Sequence, residues 1–160
     1  MTFIYMRDEL KIIHDNIQRK AYQQIGSGSG RRVFDIGGGR VAKVAKNRKG
    51  LVQNRAEHHI SLQARSNLLA RVFHVSGDYR LLVMEKAEKV HNMSEIRAYF
   101  RVKNNSDLLD MAMFHDLSKQ HQLASQDMYR AANWGKINGR PVLIDYGLTR
   151  SIRMKYYLPF

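Results

Sequence analysis

Residues 31–46 read RRVFDIGGGRVAKVAK, two runs in which apolar and polar side chains alternate, separated by three consecutive glycines. A period of two is the signature of a half-buried strand, and glycine supplies the backbone conformations of a tight turn, so the segment reads as an antiparallel hairpin. The hairpin commits the first half of the chain to a sheet. Before it, Leu10, Ile13, Ile17 and Ala21 recur at three and four, one face of a helix over residues 6–24 that GSGSG at 26–30 stops. After it, NRKG breaks the strand, and the pattern is helical from Leu51 to about Leu69. ARVFHVS, the turn GD and YRLLVMEKA then form a second hairpin.

The second half is first helical. Ile96, Phe100 and Val102 mark a short helix, and Leu108, Leu109, Met111, Ala112, Phe114 and Leu117 a longer one with Ser106 as its N-cap. WGKI, the turn NGR and PVLIDYG make a last hairpin, with Pro141 at a strand start. A strand-rich half followed by a helix-rich half predicts an α+β fold with two lobes. The 160 residues fit one domain, and no repeat or long linker divides them.

Twenty-seven Lys and Arg against 14 Asp and Glu give a net charge of +13, which suits polyanionic partners: nucleotide phosphates, nucleic acid or an acidic protein. The absence of cysteine excludes a disulfide scaffold, thiolate metal sites and a cysteine nucleophile. Histidines are scattered apart from His58 and His59, whose adjacency keeps them off a shared helix face and argues against a histidine-built metal site. The first ten residues mix charges into apolar positions, so neither a signal peptide nor a membrane span is expected, and a cytoplasmic protein is.

Four features carry chemistry. In IGSGSGRRVF, glycines between strands let backbone N–H groups approach phosphates, and neighbouring arginines add charge. Lys43 and Lys46 are three apart on one strand, so at most one faces a cleft beneath that loop; Lys43, among valines and an alanine, is the stronger candidate. Glu57 lies on the following helix, where a carboxylate can hold a strand lysine for a phosphate. Lastly, ASQDMYRAANWGKINGRPVLIDYGLT delivers Asp127, Asn133 and Asp145 in the order in which kinase-like sites gather an acid and two magnesium ligands.

In this order the features resemble the protein kinase-like superfamily from about Ile25 to Leu148. More narrowly, GSGSGRRVF, VAKVAKNRKGLVQNRAE and NWG…VLIDYGLT look like small kinase-like proteins of tailed bacteriophages. The resemblance implies a compact kinase-like fold, with a strand-rich N-lobe over about 1–87 and a truncated helical C-lobe over about 88–160. It implies that Gly26, Gly28 and Gly30 cover the phosphates of ATP, that Lys43 contacts them and is held by Glu57, and that Glu85 to Ala87 form the hinge against adenine. Asp127 would be the base, and Asn133 with Asp145 would hold Mg²⁺. The expected activity is phosphoryl transfer to a host component, in the host cytoplasm if the protein is phage-encoded.

The catalytic segment departs from the family in spacing, with D-x-x-x-x-x-N in place of D-x-x-x-x-N, and in having SQDMY without a flanking His or Arg. Only 13 residues follow Gly147, which leaves little platform for a peptide substrate. Two alternatives therefore stand beside the enzyme. One is a catalytically inactive kinase-like module that seizes a host protein or nucleic acid through the basic run Arg31, Arg32, Arg40, Lys46, Arg48, Lys49 and Arg55. The other is a basic RNA or DNA binder with Tyr156, Tyr157 and Phe160 as stacking groups.

Overall fold

The computed structural model describes residues 2–156, which separate into two compact units. The first holds the chain up to His59 together with Arg71–Lys86, and the second holds Ile60–Ala70 together with the chain from Ala87 onward.

The first unit is built on an antiparallel sheet. Its strands are β1 (Gln23–Ser27), β2 (Arg31–Gly37), β3 (Arg40–Ala45), β4 (Val72–Val75) and β5 (Leu81–Glu85), in the order β1-β2-β3-β5-β4. The β2–β3 turn uses Gly37, Gly38 and Gly39 at φ of 78°, 64° and 71°, a left-handed run open to glycine at little cost. Helix α1 (Thr2–Gln18) lays Ile13 and Ile17 into a buried cluster with Phe34, Ala42, Leu81 and Val83. Burying each isoleucine contributes on the order of 1.5–3 kcal/mol. The register Phe34↔Ala42↔Val83 puts those residues on one sheet face, and the adjacent register Val33↔Lys43↔Leu82 puts Lys43 on the other.

The expected helix over residues 6–24 ends early. Lys20 takes φ 59°, its N–H bonds Ile17 O, and the Ala21 N–H bonds Asn16 O, so both orphan carbonyls are closed off. A lysine occupies the position where glycine is usual, which hid the stop. Residues 23–27 then pair with β2, so Gly26 belongs to a strand and the turn proper is Gly28 to Gly30. Helix α2 (Arg48–Ala64) begins three residues before Leu51, because Asn47 Oδ1 accepts the Gly50 N–H at 3.2 Å. It ends well short of Leu69, which is extended in a parallel bridge to Leu143.

In the second unit, strands β6 (Glu88–Lys89), β7 (Trp134–Ile137) and β8 (Arg140–Leu143) form an antiparallel sheet in chain order. The β7–β8 turn places Asn138 and Gly139 at positive φ, as a two-residue hairpin requires. Helices α3 (Met93–Phe100), α4 (Asn105–Asp110), α5 (Ala112–His121), α6 (Ser125–Met128) and α7 (Arg150–Tyr156) complete it. The single long helix expected around Leu108 to Leu117 is two, because Met111 leaves the helical region at ψ 134°. The cap is Asn104, whose Oδ1 accepts the Asp107 N–H at 2.7 Å, and not Ser106. The core is aromatic: the Phe114 ring meets Phe100 at 5.2 Å and Trp134 at 5.7 Å, and the buried Trp134 Nε1 donates to Met128 O at 2.8 Å.

The molecule is thus α+β with antiparallel sheets. Among the described residues no helix is long and apolar enough to cross a membrane.

Candidate functional site

In the first unit the glycine turn is tied down by its carbonyl groups. Gly28 O accepts from Lys46 Nζ at 2.5 Å, Ser29 O from Asn47 Nδ2 at 2.9 Å, and Gly30 O from the Lys46 N–H at 2.8 Å. Gly50 makes this approach possible, since a Cβ there would lie 2.1 Å from Gly30 O and 2.9 Å from Ala45 Cα. Gly28 differs: a Cβ added to it would meet nothing within 4 Å. Among the described residues packing gives no reason for a glycine at that position.

Lys43 and Lys46 separate cleanly. Lys46 lies past the end of β3 and is exposed, whereas Lys43 is 5% exposed and its Nζ donates to Glu57 Oε1 at 2.6 Å. Glu57 is fully buried, carried there by α2. It receives a second cation that the sequence pattern did not single out for this role. Arg31, 6% exposed, forks onto both Glu57 carboxylate oxygens and also donates to Asn54 Oδ1 at 3.0 Å.

Asn54 is itself fully buried, one turn before Glu57 on the same helix face, and its Nδ2 donates to Tyr79 O at 2.8 Å. Arg31 is therefore no part of a basic surface, although it heads the basic run. Its signal was its parity: Arg31 alternates with Val33, the register partner of Lys43. Arg31 and Lys43 thus meet on one buried carboxylate.

The expected hinge residues are committed to other bonds. The Glu85 N–H donates to Arg71 O at 2.9 Å and the Lys86 N–H to Gly39 O at 2.8 Å. The Glu85 side chain accepts the Arg71 N–H at 3.1 Å. Ala87 is the first residue after the change of unit.

The second unit brings Asp127 and Asn133 together despite the longer spacing. The chain between them closes through a short 3-10 turn (Ala131–Asn133), and Asn133 Nδ2 donates to Asp127 O at 2.8 Å. With Nδ2 committed, the amide's other polar atom is a hard oxygen. Asp145 follows β8, and Tyr146 anchors that segment: it is 3% exposed and its hydroxyl donates to Ala70 O at 2.6 Å.

Asp127 Oδ1 accepts from Arg153 Nη1 at 3.0 Å, while Oδ2 is buried with no hydrogen-bond partner among the described residues. Burial raises the Asp127 pKa above the ordinary aspartate value; Arg153 opposes the shift and the neighbouring Asp145 charge adds to it. A carboxyl so placed is a better proton acceptor than an exposed one. Arg153 is the second residue that sequence reasoning missed, and an arginine in the segment RSIRMKYY carries no pattern that marks it.

Among the described residues no group of three or more His, Asp or Glu gathers to hold a metal unaided. A Mg²⁺ carried on nucleotide phosphates asks for only one or two protein carboxylates, so Asn133 and Asp145 suit it as a donor set, beside the orphaned oxygen of Asp127. Of the proposed stacking groups, Tyr156 has the Lys155 ammonium 5.3 Å from its ring centroid, and Tyr157 and Phe160 lie outside the described residues.

No family model matches this chain, and no curated protein matches it either.

Proposed function

We propose that the chain is a protein kinase-like phosphotransferase using ATP and Mg²⁺, of the compact kind encoded by tailed bacteriophages, acting on a host component. The observation that carries this reading is the Lys43 Nζ to Glu57 Oε1 contact of 2.6 Å, buried in the sheet unit that bears the glycine turn. Burying a lysine and a glutamate costs several kcal/mol of desolvation per ion, and an apolar pair of equal volume would often stabilise the unit better. A function that needs a fixed cation accounts for its presence.

In this reading Lys43 donates to phosphate oxygens, Glu57 holds Lys43, and Arg31 holds Glu57 from the other side. The backbone of Gly26, Gly28 and Gly30 runs beside the phosphates, and Glu85 to Ala87 border the adenine. When bound, the nucleotide supplies the phosphoryl group and Mg²⁺ the charge that neutralises its oxygens. Asn133 and Asp145 present the oxygens that hold the metal. Asp127 orients the acceptor hydroxyl and takes its proton at Oδ2, the oxygen that Arg153 leaves unoccupied. The fold implied is a strand-rich N-lobe followed by a helical C-lobe.

One observation favours a second reading, a kinase-like module that binds a host protein without transferring phosphate. Arg153 places a counter-charge 3.0 Å from Asp127 Oδ1, where a base awaiting substrate is better left open. Incubation with radiolabelled ATP and Mg²⁺ separates the two. Label transferred by the wild type and lost in Asp127→Asn supports the enzyme, whereas a wild type that holds Mg-ATP and transfers nothing supports the binding module.

A further inference from the structure

The second unit contains a cavity of about 360 Å³ between α4, α5, α6 and the start of α7. None of the residues assigned above to phosphoryl transfer lines it. Its volume falls at the lower end of the roughly 300–1,000 Å³ typical of small-ligand sites, so its occupant is compact.

The lining is divided. Leu109, Phe114 and Met128 give it an apolar side, while Lys119 and Arg150 stand on its polar side together with Asp110. Among the described residues neither the Lys119 ammonium nor the Arg150 guanidinium has a hydrogen-bond or ion-pair partner. His115 also lines the cavity; it lies 3.8 Å from the Asp116 carboxylate, and both side chains are well exposed. Two permanent cations thus belong to residues that line the cavity, against the single carboxylate residue Asp110. An arginine and a lysine converging on one concavity suit a phosphate group, the arginine as a planar fork and the lysine as a point charge.

The geometry points to a binding site for a small organic phosphomonoester, its phosphate held by Lys119 and Arg150 and its apolar body against Leu109, Phe114 and Met128. The site is separate from the proposed nucleotide-binding residues and does not depend on that reading.

Phenyl phosphate is the probe, titrated into the isotopically labelled full chain and followed by backbone amide shifts. The expected result is saturable binding reported by residues of α4, α5 and the start of α7. Lys119→Gln and Arg150→Gln should each weaken it about threefold to tenfold, the range between exposed charge pairs and charged hydrogen bonds. Asp110→Asn should tighten it by removing a like charge. All three positions are exposed, so the variants retain the wild-type melting profile. Saturable shifts confined to the glycine turn and β3, or no saturable shifts, would overturn the proposal. So would benzylamine binding in the same cavity and losing affinity in Asp110→Asn, since that result assigns the site to a cation.

Discussion

Replacing Glu57 with Gln keeps the side-chain volume and removes the one charge that two buried cations share. Lys43 approaches the carboxylate at 2.6 Å and Arg31 forks onto both of its oxygens, and none of the three side chains is more than 7% exposed. Removing one partner of a buried ion pair costs about 3–5 kcal/mol, because the other charge stays buried without compensation. Because two cations lose their shared carboxylate, Glu57→Gln belongs at the upper end. Lys43→Met is different in kind: Glu57 keeps Arg31, and the loss is one charge-assisted hydrogen bond, about 1.5–3 kcal/mol, partly offset by the apolar replacement.

At about 2–4 °C per kcal/mol for a chain of this size, Glu57→Gln should lower Tm by on the order of 10 °C and Lys43→Met by roughly half that or less. Scanning calorimetry, which follows the unfolding of the whole chain, is the assay. The double variant should lose much less than the sum of the singles, because Lys43, one of the two cations that Glu57 holds, is removed with it. A Glu57→Gln loss below about 1 kcal/mol, or one no greater than that of Lys43→Met, would refute the shared-carboxylate argument.

Asp127 gives a pH prediction. A carboxyl whose pKa is raised on folding binds its proton more tightly in the native state, so its contribution to stability is fully present below the ordinary aspartate range. That contribution is lost as pH rises through the native midpoint. Carbon-detected titration should place the midpoint above that of an exposed aspartate; Arg153→Gln should raise it further and Asp145→Asn should lower it. Gly28→Ala should fold and melt as wild type, because its Cβ meets nothing within 4 Å, yet weaken Mg-ATP binding measured by fluorescence competition. Gly50→Ala should lose about 1–3 kcal/mol or more in urea denaturation, because its Cβ would strike the backbone of Gly30 and Ala45.

The β2–β3 hairpin was legible because period-two alternation and three glycines agree, and the register follows once the turn is fixed. The same alternation allowed only one of Lys43 and Lys46 to face inward, whereas the pairing of Lys43 with Glu57 was implied by the resemblance. The end of α1 was not legible, because a left-handed lysine closes it where glycine would have announced the stop. The break at Met111 is likewise written in a backbone angle within an unbroken apolar pattern. Arg31 looked like surface charge because composition counts charges without asking which are buried. Asp127 and Asn133 were placed in order along the chain, but the 3-10 turn that absorbs their extra residue, and the arginine that meets Asp127 from α7, are tertiary facts.

The central claim is tested most directly by titrating ATP calorimetrically, with and without Mg²⁺, into wild type and Asp145→Ala. The account predicts binding that Mg²⁺ strengthens in the wild type, and an Asp145→Ala protein that folds normally and loses the Mg²⁺ dependence. ATP binding absent from the wild type at every Mg²⁺ concentration, or equally Mg²⁺-dependent in both proteins, would contradict it.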